Sequence, residues 1–196
     1  MDQFEYVMVL VSIIIGLGIA HILLGVGGIF DRISGRGERL ELSIAHAFWL
    51  GFCFMWMVMF WWWEYRFSSR VSEWTIGLYL FLVVYAVILF LMAVVLVPRS
   101  WDGVTSLRSY FLRQRVWFYG LIILMIVTDQ IDSYLKGGVE YILEIGALNI
   151  AFSISIFVSA FVGIKSENVR FHNFVSVLFF SWQLLIGLQL YDMLAI

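Results

Sequence analysis

The sequence predicts an all-α integral membrane protein: a bundle of about six transmembrane helices with both termini on the non-cytoplasmic side. Three observations carry this expectation. Apolar residues make up 63% of the chain and charged residues only 13%, too few to cover a water-soluble domain of this size. The charges gather between apolar runs of about twenty residues, the length that crosses a hydrocarbon core of about 30 Å. Basic residues also concentrate in alternate connections, as the positive-inside rule requires.

The first run, near 5–30, follows the acidic start Met1-Asp2-Gln3-Phe4-Glu5. It lacks the positive leader region of a cleaved signal and is read as a retained helix. The second run lies near 42–65. The third, near 74–97, stops at Pro98, the only proline, which cannot continue a helix. The fourth, near 110–134, is the weakest, because its uninterrupted apolar core runs only from Val116 to Val127. It spans if Arg113 and Arg115 snorkel at one end and Asp129 sits near the other. The fifth lies near 141–164. The sixth, near 172–194, carries polar residues among aromatic and aliphatic ones. Every connection is short, so residues 1–196 read as a single transmembrane helical domain. Residues 1–98 and 99–196 show no convincing internal match, which leaves an inverted-repeat architecture without sequence support.

The connections after helices one, three and five hold Arg32, Arg36, Arg39, Arg99, Arg108, Arg113, Arg115, Lys165 and Arg170, against Arg66, Arg70 and Lys136 on the other side. This places the first set in the cytoplasm, with the bacterial inner (plasma) membrane as the expected location. Trp61, Trp62, Trp63 and Trp74 form the outer aromatic belt; Trp101 and Trp117 flank the basic segment at the inner one. Arg108, Arg113 and Arg115 are candidates for contact with anionic lipid headgroups, the plainer reading being ordinary positive-inside anchoring.

Ionisable groups within a span are costly and are therefore functional candidates. His21 shares a face of the first helix with Gly18, Gly25 and Gly28, and small residues there let another backbone or a flat ligand approach. His46 lies about one turn into the second helix, so the two histidines differ in depth by roughly 6 Å. Together they are candidates for a b-type haem clamp or for inner relays of a proton path. The plainer readings are a hydrogen bond to a neighbouring helix for His21 and interfacial snorkelling for His46. His172, beside Arg170 and Asn173, reads as an interfacial cap.

His46, Cys53 and Met57 fall on one face of the second helix, with Glu64 a further turn pair along, and soft sulfur ligands suit copper(I). Met55 and Met59 make a second i, i+4 pair. It resembles the Met-x3-Met pair of membrane copper transporters, though no metal-rich extracellular segment accompanies it. Methionine in an apolar helix more often serves as adaptable packing. The single cysteine excludes an internal disulfide and any CxxC site.

Asp129 and Asp132 share a face of the fourth helix at i, i+3 spacing. Glu5, Glu64, Asp192, Glu144 and Asn149 are expected at similar depth on the outer side. If these converge, they make an acidic mouth that concentrates cations; the alternative is a solvated rim. Helix six carries Ser181, Gln183 and Gln189, and Gln189 and Asp192 share a face that should turn into the bundle. No phosphate-binding loop, dinucleotide fingerprint, nucleophile elbow, HExxH pair or potassium filter occurs, and nothing points to nucleic acid. The sequence thus leaves three readings. The first is a proton or cation channel or transporter, most simply a homo-oligomer. The second is a non-catalytic subunit or sensor that binds partner proteins or anionic lipid. The third is a haem or copper redox protein. No catalytic constellation is visible, and no resident cofactor is the simplest expectation.

Overall fold

In hydrocarbon every backbone N–H and C=O needs a partner within the protein, and a helix supplies one locally. The computed structural model describes residues 3–36, 38–71 and 74–194, apart from the side chains of Gln3 and residues 188–194. Its helices are α1 (Gln3–Ile33), α2 (Ile44–Glu64), α3 (Arg66–Arg70), α4 (Ile76–Leu96), α5 (Leu107–Ile145), α6 (Ala147–Lys165) and α7 (Val169–Leu194). All but α3 are long and apolar enough to cross a membrane. Among the described residues the extended backbone pairs only in the isolated bridge between Glu41 and Ser106. The chain is therefore an all-α polytopic membrane protein. Large apolar side chains such as Leu24, Ile76 and Trp117 lie on its outside, where a bilayer covers them at no cost in hydration.

Caps mark the helix starts. Ser43, Thr75 and Ser106 each accept from a backbone N–H three residues on, at 3.4, 3.2 and 3.3 Å, the usual way to satisfy a first-turn donor. Asn168 accepts from the Arg170 N–H, two residues on, at 3.0 Å. α2 is the hub: it touches α1, α4, α5 and α7, while α4, α5, α6 and α7 follow one another around it. α1 lies along α4 on its glycine face. A Cβ on Gly25 would stand 2.7 Å from a Val97 methyl, and one on Gly28 would stand 2.5 Å from the Trp101 indole nitrogen. The small residues of α1 therefore set how closely the two helices approach.

The fourth span departs most from expectation. It runs helical from Leu107 to Lys136, past the short apolar core, with Asp129, Asp132 and Lys136 paired within the protein. It breaks at Gly137 and Gly138; Gly138 adopts φ 67°, ψ −156°, a left-handed conformation that side chains rarely tolerate. A further helical stretch then runs to Ile145, and Gly146 (φ 97°) turns the chain into α6. Residues 141–145, expected in the fifth span, belong instead to this stretch. It docks on α3: Arg66 donates to the Tyr141 hydroxyl at 3.4 Å, and Arg70 bonds both Glu144 carboxylate oxygens at 3.0 Å. α3 and the stretch 139–145 together cover one end of the bundle, here the charged end. The starts of α2, α5 and α7 meet at the opposite end, which carries His46 and His172.

Candidate functional site

Two positions of α5 one turn apart build the centre of the site. Asp132 and Lys136 are an i, i+4 pair on the buried face of α5, and Glu64 ends α2 beside them. The Lys136 ammonium donates to Asp132 Oδ2 and, at 3.2 Å, to Glu64 Oε1. It also lies 4.8 Å from the centre of the Phe67 ring, a favourable cation–π arrangement. The three side chains are 2–4% exposed, which matters because an unpaired charge there would be very costly. One lysine faces two carboxylates, and the second oxygens, Glu64 Oε2 and Asp132 Oδ1, are buried without a protein partner.

Asp129 extends the cluster by one turn. Its Oδ1 accepts from the Tyr85 hydroxyl at 3.0 Å, and that hydroxyl accepts from the Trp56 indole at 3.2 Å. Its Oδ2 accepts from the Gln130 amide at 3.1 Å, which also donates to Ser153 Oγ at 3.1 Å. One polar chain thus links α2, α4, α5 and α6. Gln183 of α7 lies beside it, with its amide against the Phe52 carbonyl and the backbone N–H of Trp56 in α2. Around these groups lies a cavity of about 70 Å³, lined by Glu64, Asp129, Asp132, Lys136, Arg66 and Asn149 and by the aromatic rings of Trp56, Trp63, Tyr141 and Phe152. That volume suits a few waters or one small ion. The Trp63 indole N–H has no protein partner either. With all groups ionised, three carboxylates face two cations, so the lining holds an excess of one negative charge.

The acids singled out from sequence thus separate. Glu64, Asp129 and Asp132 meet at the cavity, as does Asn149. Glu5 is exposed on α1, and Glu144 is exposed in its ion pair with Arg70. Gln189 and Asp192 belong to α7, but their side chains lie outside the described residues. Lys136, grouped in the sequence with outer-side basic anchors, is instead the buried centre of the cluster. Its signal was present: opposite charges at i, i+4 on one helix face, directly before two glycines. Tyr85, Gln130 and Ser153 were missed because single polar residues in apolar helices carry no spacing signal.

The histidines take other partners. His46 Nε2 donates to the Leu96 carbonyl at 2.7 Å, capping the last turn of α4 where Pro98 prevents continuation. Its Nδ1 is buried without a partner. His21 packs its ring 6.4 Å from Phe90 of α4, and its Nε2 has no partner. His172 Nε2 donates to the Ser166 carbonyl at 3.0 Å, which makes Nδ1 the acceptor for the Tyr119 hydroxyl at 2.9 Å. Cys53 and Met57 are buried on α2 with His46, yet no group of three His, Cys, Asp or Glu residues is placed to hold a metal among the described residues. In the basic segment, Arg108 pairs with Glu41 and Arg115 with Glu167, both at 2.8 Å, and Arg113 is exposed.

No family model, no curated protein and no solved structure matches this chain.

Proposed function

We propose that this polytopic protein handles protons or small cations as a channel or transporter, with Glu64, Asp132 and Lys136 as its ion site and Asp129 behind it. The observation that carries the reading is the buried cluster itself: two carboxylates share one ammonium inside a membrane bundle, and each keeps an unpartnered oxygen beside a cavity. A proton or a monovalent cation is the simplest species that would neutralise the excess charge and engage those oxygens. A bundle of this size leaves little room for an open pore. The reading therefore favours stepwise passage through the site, in a homo-oligomer or beside a partner subunit. His21 and His46 are the candidate relays toward the other end, each with one ring nitrogen free of protein partners.

The test is ion flux in proteoliposomes, with an internal pH dye and, separately, radioactive sodium, under an imposed membrane potential. Wild type should carry one of the two. Glu64→Gln or Asp132→Asn should lower the flux at least tenfold while the purified protein remains monodisperse. Unchanged flux in both variants would sink the proposal. No flux in wild type would also overturn it, and would favour the second reading, a non-catalytic membrane subunit in which the cluster only ties α2 to α5.

A further inference from the structure

The charged cavity has a neighbour on the lipid side. A groove of about 530 Å³ runs between α5 and α6, lined by Ile126, Val127, Ile131, Tyr134, Ile154 and Phe157 among others. Ile131, Tyr134 and Ile154 are 46, 58 and 60% exposed, so the groove opens to the hydrocarbon. Ser153 lines both the groove and the cavity, and Gln130 lines the groove while bonding Asp129. The Gln130–Ser153 hydrogen bond thus lies where the two spaces border each other. At the charged end Tyr141, which lines the cavity, is 5% exposed beneath the contacts of α3 with the stretch 139–145.

We infer that the cavity is entered sideways from the bilayer, through the Gln130–Ser153 gate, by a lipophilic primary ammonium with a single hydrocarbon tail. This rests on the cation-site reading above and names the class of cation. The gate chemistry selects the head. Gln130 spends two N–H donors on Asp129 Oδ2 and Ser153 Oγ, at 3.1 Å each. An ammonium carries three donors and can replace it on both acceptors, leaving a third for the displaced carboxamide oxygen. A neutral alcohol has one donor and cannot. An anionic head would meet Asp129 and then the carboxylates of Glu64 and Asp132. Size agrees: the cavity accommodates an ammonium head but no chain, while the apolar groove accommodates a chain. The rings of buried Trp56 and half-buried Trp63 also line the head position.

Equilibrium binding of radiolabelled dodecylamine to the full chain in nanodiscs of zwitterionic lipid tests this, with empty nanodiscs as background. Binding should be saturable at one site per chain, and dodecanol should compete at least tenfold more weakly than unlabelled dodecylamine. Ile154→Trp, which fills the groove from the lipid side, should weaken binding at least tenfold without lowering the thermal midpoint by more than a few degrees. Ser153→Phe, at the gate, should do the same; if it fails to fold, Ile154→Trp still decides. Binding insensitive to Ile154→Trp, or competed equally by dodecanol, overturns the inference. No saturable binding alongside Glu64-dependent flux of inorganic ions overturns lateral entry and leaves the cation site standing. Loss of both removes both.

Discussion

The two ends of the bundle solve the same problem differently. Each buries polar side chains among aromatic rings in a solvent that offers no hydrogen bonds. At the histidine end the bonded groups are neutral, although His46 Nδ1 and the Trp49 indole N–H stay buried without a partner. His172 has both ring nitrogens engaged, His46 caps a free helix carbonyl, and Trp49, Phe111 and Phe118 pack edge-on around them. At the charged end the groups are ions, the acids outnumber the bases, and two carboxylate oxygens stand beside a cavity without protein partners. Neutral pairs that close on themselves hold helices together. An ionic cluster that stays open retains capacity for a further charge. That contrast is why the function is sought at the charged end, although the histidines looked equally suggestive in sequence.

Lys136→Met gives the largest expected effect on this comparison. It leaves two buried carboxylates without a cation and should cost about 3–5 kcal/mol, read as a lower unfolding midpoint in mild detergent. Adding Glu64→Gln and Asp132→Asn should restore most of it. A Lys136→Met protein as stable as wild type would mean that the lysine does not compensate the acids, and the contrast between the ends would fail. At the other end, Gly163→Ala places a Cβ 2.5 Å from the Tyr119 ring. The overpacking should cost about 1–3 kcal/mol without altering cation flux; a flux change would show that the two ends are coupled. Tyr119→Phe removes the donor to His172 Nδ1 and should cost about 1 kcal/mol, visible in the same unfolding assay. Arg108→Gln breaks a half-exposed pair with Glu41 and should change stability by less than about 1 kcal/mol. Its binding to anionic vesicles should fall less than twofold, since the arginine is already paired. A tenfold fall would return this segment to the role of headgroup site.

Legibility differed between elements for physical reasons. Pro98 marked the end of α4 because proline acts locally. The apolar runs of α1, α2 and α4 were visible because twenty residues of hydrocarbon thickness leave a long signature. α5 was read as the weakest span because its uninterrupted apolar core ends before Asp129, whereas the folded helix bonds Asp129 to Tyr85 and Gln130 and pairs Asp132 and Lys136 with Glu64. Its extension to Ile145 depends on Gly138 taking a left-handed turn and on α3 receiving the stretch beyond it. The acids were recognised as candidates at Glu64, Asp129 and Asp132. Nothing in their spacing told them apart from Glu5 or Glu144, which remain at the surface.

What the sequence determined by itself is therefore the solvent and the architecture: a bilayer, helices, and about six of them, because composition and run length act through each segment's own transfer free energy. The choice of which polar groups meet was left to tertiary structure. Lys136 lies between Asp132, one turn away, and Glu64, 72 positions distant in the chain. Only the packing of α5 against α2 turns an interfacial cation into the centre of a buried site.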